Sequence, residues 1–456
     1  MKIIILGAGQ VGTAVARNLA DEDNDVTIVD TNADVLREMQ SRLDLRTVHG
    51  EASHPEILRR AGADDADLLI ACTSADEVNM MACQIAYTVF RTPTKIARVR
   101  HNAYRNVEAL FHADHIPVDY LISPEQLVTL HVERLIELPG ALQAIDFAEG
   151  KLRLIGVRAE RGGRLVGHRL RALRDHLPDV DSRVLAIYRG DHAIIPTGDT
   201  TIEPDDEVFF LAARAHASSV MEEMRARMQP NRHVMIAGGG NIGFQLANRL
   251  QHAYRVKVIE RDPKRAEFLA SELDCMVLQG DAADVELIVE ENIQDMDVFC
   301  ALTNDDEANI LSAILAKDRG AGKVMSLVNR VAYSELIPTS MIDVAVSPHQ
   351  ITIGHLLTHV RRGNVEAVHS LRRGVAEVIE AIATGDKKTS RLVGRRVDEV
   401  DLPLHSTIGA IVRGDTVLMA HHDIVIEAGD HLIFFVSDKK RIPDIERLCQ
   451  VKATFI

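Results

Sequence analysis

The residues of this chain best suited to chemistry form a six-residue glycine pattern, Gly7-Ala8-Gly9-Gln10-Val11-Gly12. It follows directly on the apolar run Lys2-Ile3-Ile4-Ile5-Leu6 and opens an amphipathic stretch from Val11 to Ala20. In a strand, turn and helix of this kind the first glycine permits the tight turn. The second lets a pyrophosphate approach the backbone, and the third lets the helix lie close against the strand. Phosphate oxygens then rest on the free N–H groups of the helix N-terminus. The next apolar run, Val26-Thr27-Ile28-Val29, ends in Asp30, where a carboxylate accepts hydrogen bonds from a ribose hydroxyl. Its charge repels a 2′-phosphate, so the chemistry is the binding of NAD in preference to NADP.

The same grammar returns after Pro230-Asn231. His233-Val234-Met235-Ile236-Ala237 runs into Gly238-Gly239-Gly240-Asn241-Ile242-Gly243, and the strand Val256-Lys257-Val258-Ile259 ends in Glu260. Other landmarks recur in register. Gly50-Glu51-Ala52 matches Gly280-Asp281-Ala282, and Thr73 to Asn79 matches Thr303 to Asn309. Asp119 to Pro124 matches Asp343 to Pro348. One such match is coincidence, but all of them in order mean a duplicated unit.

Around each glycine turn the pattern calls for an alternating strand and helix fold. Within the first copy Leu36, Met39 and Leu43 share a helix face, Thr47-Val48 forms a third strand, and Pro55 opens a further helix. Leu68-Leu69-Ile70-Ala71 is a fourth strand, so Thr73 and Ser74 fall at its carboxyl end, where a doubly wound sheet binds ligands. They can meet ribose or diphosphate, and Ser74 can also cap the helix that continues to Phe90. Ile96 to Arg100 reads as a fifth strand with Arg98 and Arg100 on one face, available to a phosphate or to solvent. The helix from Glu125 to Leu138, stopped by Pro139-Gly140, follows a complete dinucleotide fold and is expected to connect and to pack against another copy.

From Gln143 to Met228 the pattern changes. Leu152 to Val157 reads as a strand and Leu165 to Leu173 as a short helix. Val184 to Tyr188 and His192 to Ile195 flank Gly190-Asp191 as a hairpin, and Val208 to Leu211 is a further strand. Its partner in the second half runs from Arg391-Leu392-Val393-Gly394 through Gly414-Asp415 to Leu432-Ile433-Phe434-Phe435.

Composition narrows the function classes. With 456 residues the chain is expected to hold about three domains, and it lacks the roughly eighteen-residue apolar stretch of a membrane helix. Met1 leads straight into a structural strand with no secretory pattern, so a cytoplasmic location is expected. Five cysteines without a C-x-x-C pair (Cys72, Cys83, Cys275, Cys300, Cys449) read as small buried hydrophobes. The formal charge of -15 opposes nucleic acid and anionic lipid. Any membrane association should therefore run through a protein partner. Without Trp, stacking platforms for single strands are also absent.

An NAD-dependent oxidoreductase would need a second domain presenting an acid or base to the nicotinamide. The small lobes share none, for His168 aligns with Arg395 and His192 with Thr416. His112 with His115, and His421 with His422, lack a third ligand for a metal. The pairs Arg361-Arg362, Arg372-Arg373 and Arg395-Arg396 read as solvated faces. A scaffold without ligand is the other alternative, and the intact glycines and acids of both halves weigh against it.

Taken together, the two glycine turns, the Ser123-Pro124 and Ser347-Pro348 junctions and the paired small lobes resemble the tandem RCK (KTN) family of potassium-uptake regulatory subunits over the whole chain. The resemblance implies an α/β protein with two Rossmann-like doubly wound parallel sheets (the RCK N-lobes), each followed by a small α+β RCK C-lobe. It implies boundaries at 1–123 and 232–348 for the N-lobes, 124–142 and 349–367 for crossover helices, and 143–228 and 368–456 for the C-lobes. The implied ligands are NAD(H), with ATP or ADP as further candidates. The first site would use Gly7 to Gly12, Asp30, Thr73, Ser74, Arg98 and Arg100, and the second Gly238 to Gly243, Glu260, Thr303 and Asn304. The implied partner is a TrkH-like potassium-translocating membrane subunit, beneath which a homo-oligomer, expected to be a tetramer, forms a gating ring on the cytoplasmic face of the inner membrane. The second site departs from the first, since Arg98 aligns with Leu327 and Arg100 with Asn329, Arg330 stands one position off, and Arg261 follows Glu260.

Overall fold

The structure is a computed structural model that describes residues 1–20, 24–112, 114–190, 192–226, 230–330, 333, 341–359, 365–371, 376–421 and 423–451. Arg361-Arg362, Arg372-Arg373, Asp191 and His422 lie outside the described residues. The first lobe is built on strands β1 (Lys2–Leu6), β2 (Asp25–Asp30), β3 (Arg46–His49), β4 (Leu68–Ala71), β5 (Thr94–Arg98) and β6 (Tyr120–Ile122), in the order β3-β2-β1-β4-β5-β6. Every pairing is parallel. Such a sheet buries both faces, which is why β1 is apolar without alternation. Ile3 and Ile5 enter the core on one face and Ile4 and Leu6 the core on the other. The helices α1 (Gln10–Ala20), α2 (Ala33–Arg42), α3 (Pro55–Ala61) and α4 (Asp76–Ile85) connect the strands.

The face carrying Ile3 and Ile5 is completed by a helix from far along the chain. In the second connector helix, Pro348–Thr358, Ile353, Leu356 and Leu357 are buried among Val15, Leu19, Ile28 and Leu36. The described residues of this helix from His349 onward accordingly form one compact unit with the first large lobe. The first connector helix, Pro124–Glu137, from Val128 onward belongs with the rest of the chain. Its last turn lies on the second nucleotide-type lobe, where Asn231 Nδ2 donates to Ile136 O at 2.7 Å and Arg249 Nε meets Glu133 at 2.7 Å.

Next in the chain comes the first small lobe, with β7 (Ala141–Phe147), β8 (Leu152–Arg158), β9 (Ser182–Arg189), β10 (His192–Ile194) and β11 (Glu207–Ala213) in the order β10-β9-β11-β8-β7. The second large lobe repeats the first with β12 (His233–Ala237), β13 (Arg255–Glu260), β14 (Met276–Gln279), β15 (Val298–Ala301), β16 (Lys323–Leu327) and β17 (Val344–Val346). Its order is β14-β13-β12-β15-β16-β17. The second small lobe has β18 (Val365–Leu371), β19 (Ala376–Ile382), β20 (Ser406–Arg413), β21 (Thr416–Met419) and β22 (His431–Val436), ordered β18-β19-β22-β20-β21. Both small sheets are antiparallel, and they share one core in which Phe147, Leu185 and Phe209 meet Val378, Ile433 and Phe435. The fold class is therefore two Rossmann-like lobes, each followed by a small α+β lobe. Each small lobe closes on the same bidentate pair. Arg189 reaches the fully buried Asp206 at 2.9 Å, and Arg413 reaches the fully buried Asp430 at 2.8 Å.

Two expected elements differ. Leu165 to Leu173 is not a helix. Gly167 sits at φ +87°, Gly167 and Leu170 donate their N–H groups to Ile202 O and Thr200 O, and helix begins only at Ala172–His176. The fifth strand ends at Arg98, not Arg100, because buried Asp76 accepts the N–H groups of Arg100 and His101 at 2.9 and 2.8 Å. Of the cysteines, Cys275 alone is half-buried and the other four are buried. Among the described residues no helix is long and apolar enough to cross a membrane.

If the second connector helix completes the first large lobe, Leu356→Ala should open a cavity beside β1 and cost about 2–5 kcal/mol. Hydrogen exchange should show the loss in residues 2–20, some 340 positions earlier in the chain than the substitution.

Candidate nucleotide-binding crevices

Each crevice begins at the carboxyl end of a central strand. Gly7 sits at φ +101°, a conformation that side chains resist, and its N–H is held by Val29 O at 2.8 Å. A Cβ on Gly12 would stand 1.8 Å from Gly7 O, so only glycine lets α1 start this close to the turn. Gly9 is different, because the place of its missing Cβ has no atom within 4 Å and the residue is exposed. That open cradle faces the first turn of α1, whose N–H groups lack intrahelical partners and carry the positive end of the helix dipole. The second lobe repeats the arrangement with Gly238 at φ +102°, a 1.9 Å approach at Gly243, and an open place at Gly240. Gln10, Asn241, Val11 and Ile242 follow in the first helical turn, the first two exposed and the last two half-buried.

The acids lie beside these turns. Asp30 accepts from Ala8 N at 2.6 Å and Asn32 N at 2.8 Å, and Glu260 accepts from Gly239 N at 2.7 Å and Asp262 N at 2.8 Å. One carboxylate oxygen is thus tied to the glycine turn and the other to the start of the next helix. Each oxygen retains capacity for a ribose hydroxyl. The open cradle and the oriented acid fit a dinucleotide in both lobes.

At the fourth strand the hydroxyl expected to face a ligand is already engaged. Thr73 donates its N–H and Oγ1 to Asn79 Oδ1 at 2.9 and 2.7 Å, and Asn79 Nδ2 donates to Arg98 O at 2.9 Å. Thr303 and Asn309 do the same at 2.8 and 2.7 Å, with Asn309 Nδ2 reaching Leu327 O at 3.1 Å. Asn79 and Asn309 are fully buried, so each staples the end of one strand to its neighbour. Neither asparagine was singled out from the sequence, although each sits at the same place in both copies. Ser74 does not cap the helix. Ala75 is the N-cap, with no side-chain bond, and exposed Ser74 offers its carbonyl to Arg100. In the second lobe Asn304 is exposed and Asp305 supplies the cap, accepting from Ala308 N at 2.9 Å.

The two arginines part company. Arg98 is half-buried, and its Nε has no hydrogen-bond partner among the described residues. Burial pulls its pKa down while the nearby Glu125 carboxylate opposes. Arg100 is exposed and turns to Ser74 O and, at 3.8 Å, to Asp76. In the second lobe buried Leu327 replaces Arg98, Asn329 donates to Asp306 at 2.9 Å, and Arg330 is taken by Glu307 and Tyr333 at 2.9 and 2.8 Å. Arg261 is exposed, near Asp305, and does not take the Glu260 carboxylate from its backbone donors. Instead Arg265 donates to Gly239 O at 2.8 Å and lies over Phe268 and Phe244 at 4.7 and 5.6 Å, a cluster with no counterpart in the first lobe. The first crevice keeps a half-buried guanidinium with an unbonded Nε where the second has a buried leucine.

Comparison with known proteins places this architecture. The TrkA-N domain family matches residues 3–124 and 234–348, and the TrkA-C domain family matches residues 154–225 and 387–449. The chain is 58% identical over 456 residues to the Trk system potassium uptake protein TrkA of Halomonas elongata, covering 100% of both chains. It is 56% identical to that of Vibrio alginolyticus, again over 100% of both. Among solved structures it resembles the GsuK RCK domain, with a TM-score of 0.60 and 16% identity across 98% of this chain and 95% of that one. It also resembles the GsuK channel bound to NAD, with a TM-score of 0.59 and 15% identity across 98% of this chain and 79% of that one.

The glycines make separable predictions. Gly9→Ala should leave stability within about 1 kcal/mol yet lower nucleotide affinity about tenfold or more, since the methyl enters the open cradle. Gly12→Ala should cost about 2–4 kcal/mol because the turn itself must move. Denaturant unfolding and calorimetric titration on the two variants check both.

Proposed function

This chain belongs to the TrkA family of Trk system potassium uptake proteins, and we propose that it is a regulatory subunit that senses NAD(H), and ATP or ADP, in its two crevices to control potassium passage through a TrkH-like membrane partner. The observation that carries this reading is the duplicated crevice, each with an open glycine cradle and an acid locked beside it. The GsuK channel bound to NAD, built on the same fold, supports it. The family's members are potassium uptake proteins, so the chain is not an enzyme and the oxidoreductase reading is set aside.

On this reading the crevice residues bind and orient, and no bond in the nucleotide is made or broken. Gly7 to Gly12 and Gly238 to Gly243 present backbone N–H groups to the diphosphate, and Asp30 and Glu260 receive the ribose hydroxyls. Arg98 and Arg100 in the first lobe, with Thr73, Ser74, Thr303 and Asn304 at the crevice rims, complete the sites. The lobes take the boundaries inferred from the sequence, 1–123 and 232–348 for nucleotide binding. Occupancy shifts the balance between two arrangements of the chain only as far as it binds them unequally. The assembly is a homo-oligomeric ring, a tetramer, on the cytoplasmic face of the inner membrane. A net charge of -15 directs it to a protein partner and away from anionic lipid.

The Arg98 guanidinium, whose Nε has no hydrogen-bond partner among the described residues, separates the two crevices. A charge-assisted bond to phosphate is worth about 1.5–3 kcal/mol, or roughly 10–100-fold in affinity. Arg98→Ala should therefore lower ATP affinity by about tenfold or more and NADH affinity by less than about threefold, whereas Glu260→Ala should weaken ligand at the second crevice alone. Equal losses of both ligands in Arg98→Ala, Asp30→Ala and Glu260→Ala would refute the division. Potassium flux in partner-containing vesicles, with and without this subunit across nucleotides, tests the regulatory role directly.

A further inference from the structure

One buried cation outside the crevices is unexplained by them. Lys323, the first residue of β16, is only 8% exposed, and its Nζ donates to Leu135 O at 2.8 Å and Ala141 O at 2.7 Å. These carbonyls stand at the end of the first connector helix and the start of β7, where helix carbonyls lack partners and the dipole is negative. The carboxylate nearest to hand, Asp343, is already bonded to Lys317 Nζ at 2.7 Å and Val324 N at 2.8 Å. Lys323 is thus committed to the connector.

Among the described residues the first copy shows no such contact. Thr94 pairs with Leu68 in the register in which Lys323 pairs with Val298, and the neighbouring Lys95 stays within its own lobe, on Asp119 at 2.8 Å and the carbonyls of Thr92 and Pro93. The lysine clamp is therefore not a requirement of the fold. The far end of β16 is the crevice itself, for Leu327 O receives the Asn309 amide that holds Thr303. Asn231, which binds Ile136 O at 2.7 Å, likewise precedes β12, whose far end feeds Gly238. Two strand ends of the second sheet, on either side of β15, grip the helix, and the opposite ends of those strands lead to the crevice.

We propose that Lys323 is the positioning residue that fastens the last turn of the first connector helix to the second nucleotide crevice, so that ligand bound at Gly238 to Gly243 alters the order of that helix. The inference rests on the reading that nucleotide binds there. Burial lowers the Lys323 pKa to about 7, with Asp343 and Cys300 raising it and Arg225 lowering it; His131 of the connector helix also faces Lys323, and Arg134 acts on that histidine. A free lysine titrates at about 10.5, so the unfolded chain holds the proton that the folded joint releases. The joint is accordingly weakest below about pH 7 and strengthens as pH rises toward 10.5. A neutral amine still carries two N–H donors, enough for both carbonyls.

The test uses the full chain with Asp30→Ala to silence the first crevice. Calorimetry reads NADH binding at the second, and hydrogen exchange reads residues 128–138 with and without saturating NADH. Exchange there is expected to change with NADH in this parent, and to slow between pH 7 and 9 once corrected for intrinsic rates. Lys323→Met, and Lys323→Thr carrying the first copy's residue, should bind NADH within about threefold of the parent while both the NADH response and the pH response are lost. The inference is overturned if either variant keeps the full NADH response, or if the parent shows neither response despite measured binding. An absence of NADH binding in the parent overturns the assignment of the second crevice, and calorimetry reports that separately.

Discussion

The structure depends on one close approach. The carbonyl of Gly7 lies where a side chain at position 12 would begin, 1.8 Å from its Cβ, and the second lobe repeats this at 1.9 Å. That proximity brings the unpartnered N–H groups of a helix onto the end of a central strand, and the remaining features follow from keeping it. The strand must be covered on both faces, hence its unbroken apolar run. The acid on the neighbouring strand must be fixed, hence its bonds to the backbone of the turn and of the next helix. A fully buried asparagine must close the far side. A positively polarised pocket is thus assembled almost wholly from backbone, which explains how two lobes of divergent sequence retain it.

Covering those strands also draws together segments far apart in sequence. The first sheet lacks a complete layer without Leu356 and Leu357 of the second connector helix, and the last turn of the first connector helix is held by Asn231, Arg249 and Lys323 of the second large lobe. The small lobes are joined even more thoroughly, since one apolar core serves both sheets. Gly409 illustrates the fit: a Cβ there would come within 2.7 Å of Leu185 and Leu211 of the other lobe.

The sequence revealed what backbone geometry demands and concealed what side chains do with the remaining freedom. Glycine spacing, the terminal acids, the doubly wound sheet class and the duplication were legible because each answers a steric requirement that few residues meet. Leu165 to Leu173 misled because leucines at helical spacing also suit a turn held open by Gly167 and bonded to Thr200 and Ile202. Thr73 was visible, but its engagement by Asn79 was not, since a polar side chain's partner depends on which donors the fold leaves unpaired. Lys323 could not be distinguished from other lysines, because its burial is created by a helix whose sequence lies 185 or more positions earlier.

The two halves share a frame and differ in how tightly it is set. Between the stapling asparagine and the strand end it holds, the first copy spans 19 positions and the second 18. The extra residue is absorbed by the π-helical turn Ala86–Phe90 and by Arg91 in the left-handed conformation, where the second copy runs on as regular helix to Asp318. Such a turn is a local irregularity that natural proteins retain mostly at functional positions. It lies on the helix that follows the crevice strand carrying Thr73 and leads into the strand carrying Arg98, whose Nε has no hydrogen-bond partner among the described residues. The second copy has instead a regular helix, an apolar residue at that place, and a buried lysine on its connector. The half-buried arginine stands in the first copy and the connector-bound lysine in the second, a division that duplication permits because one frame then carries two sets of side chains.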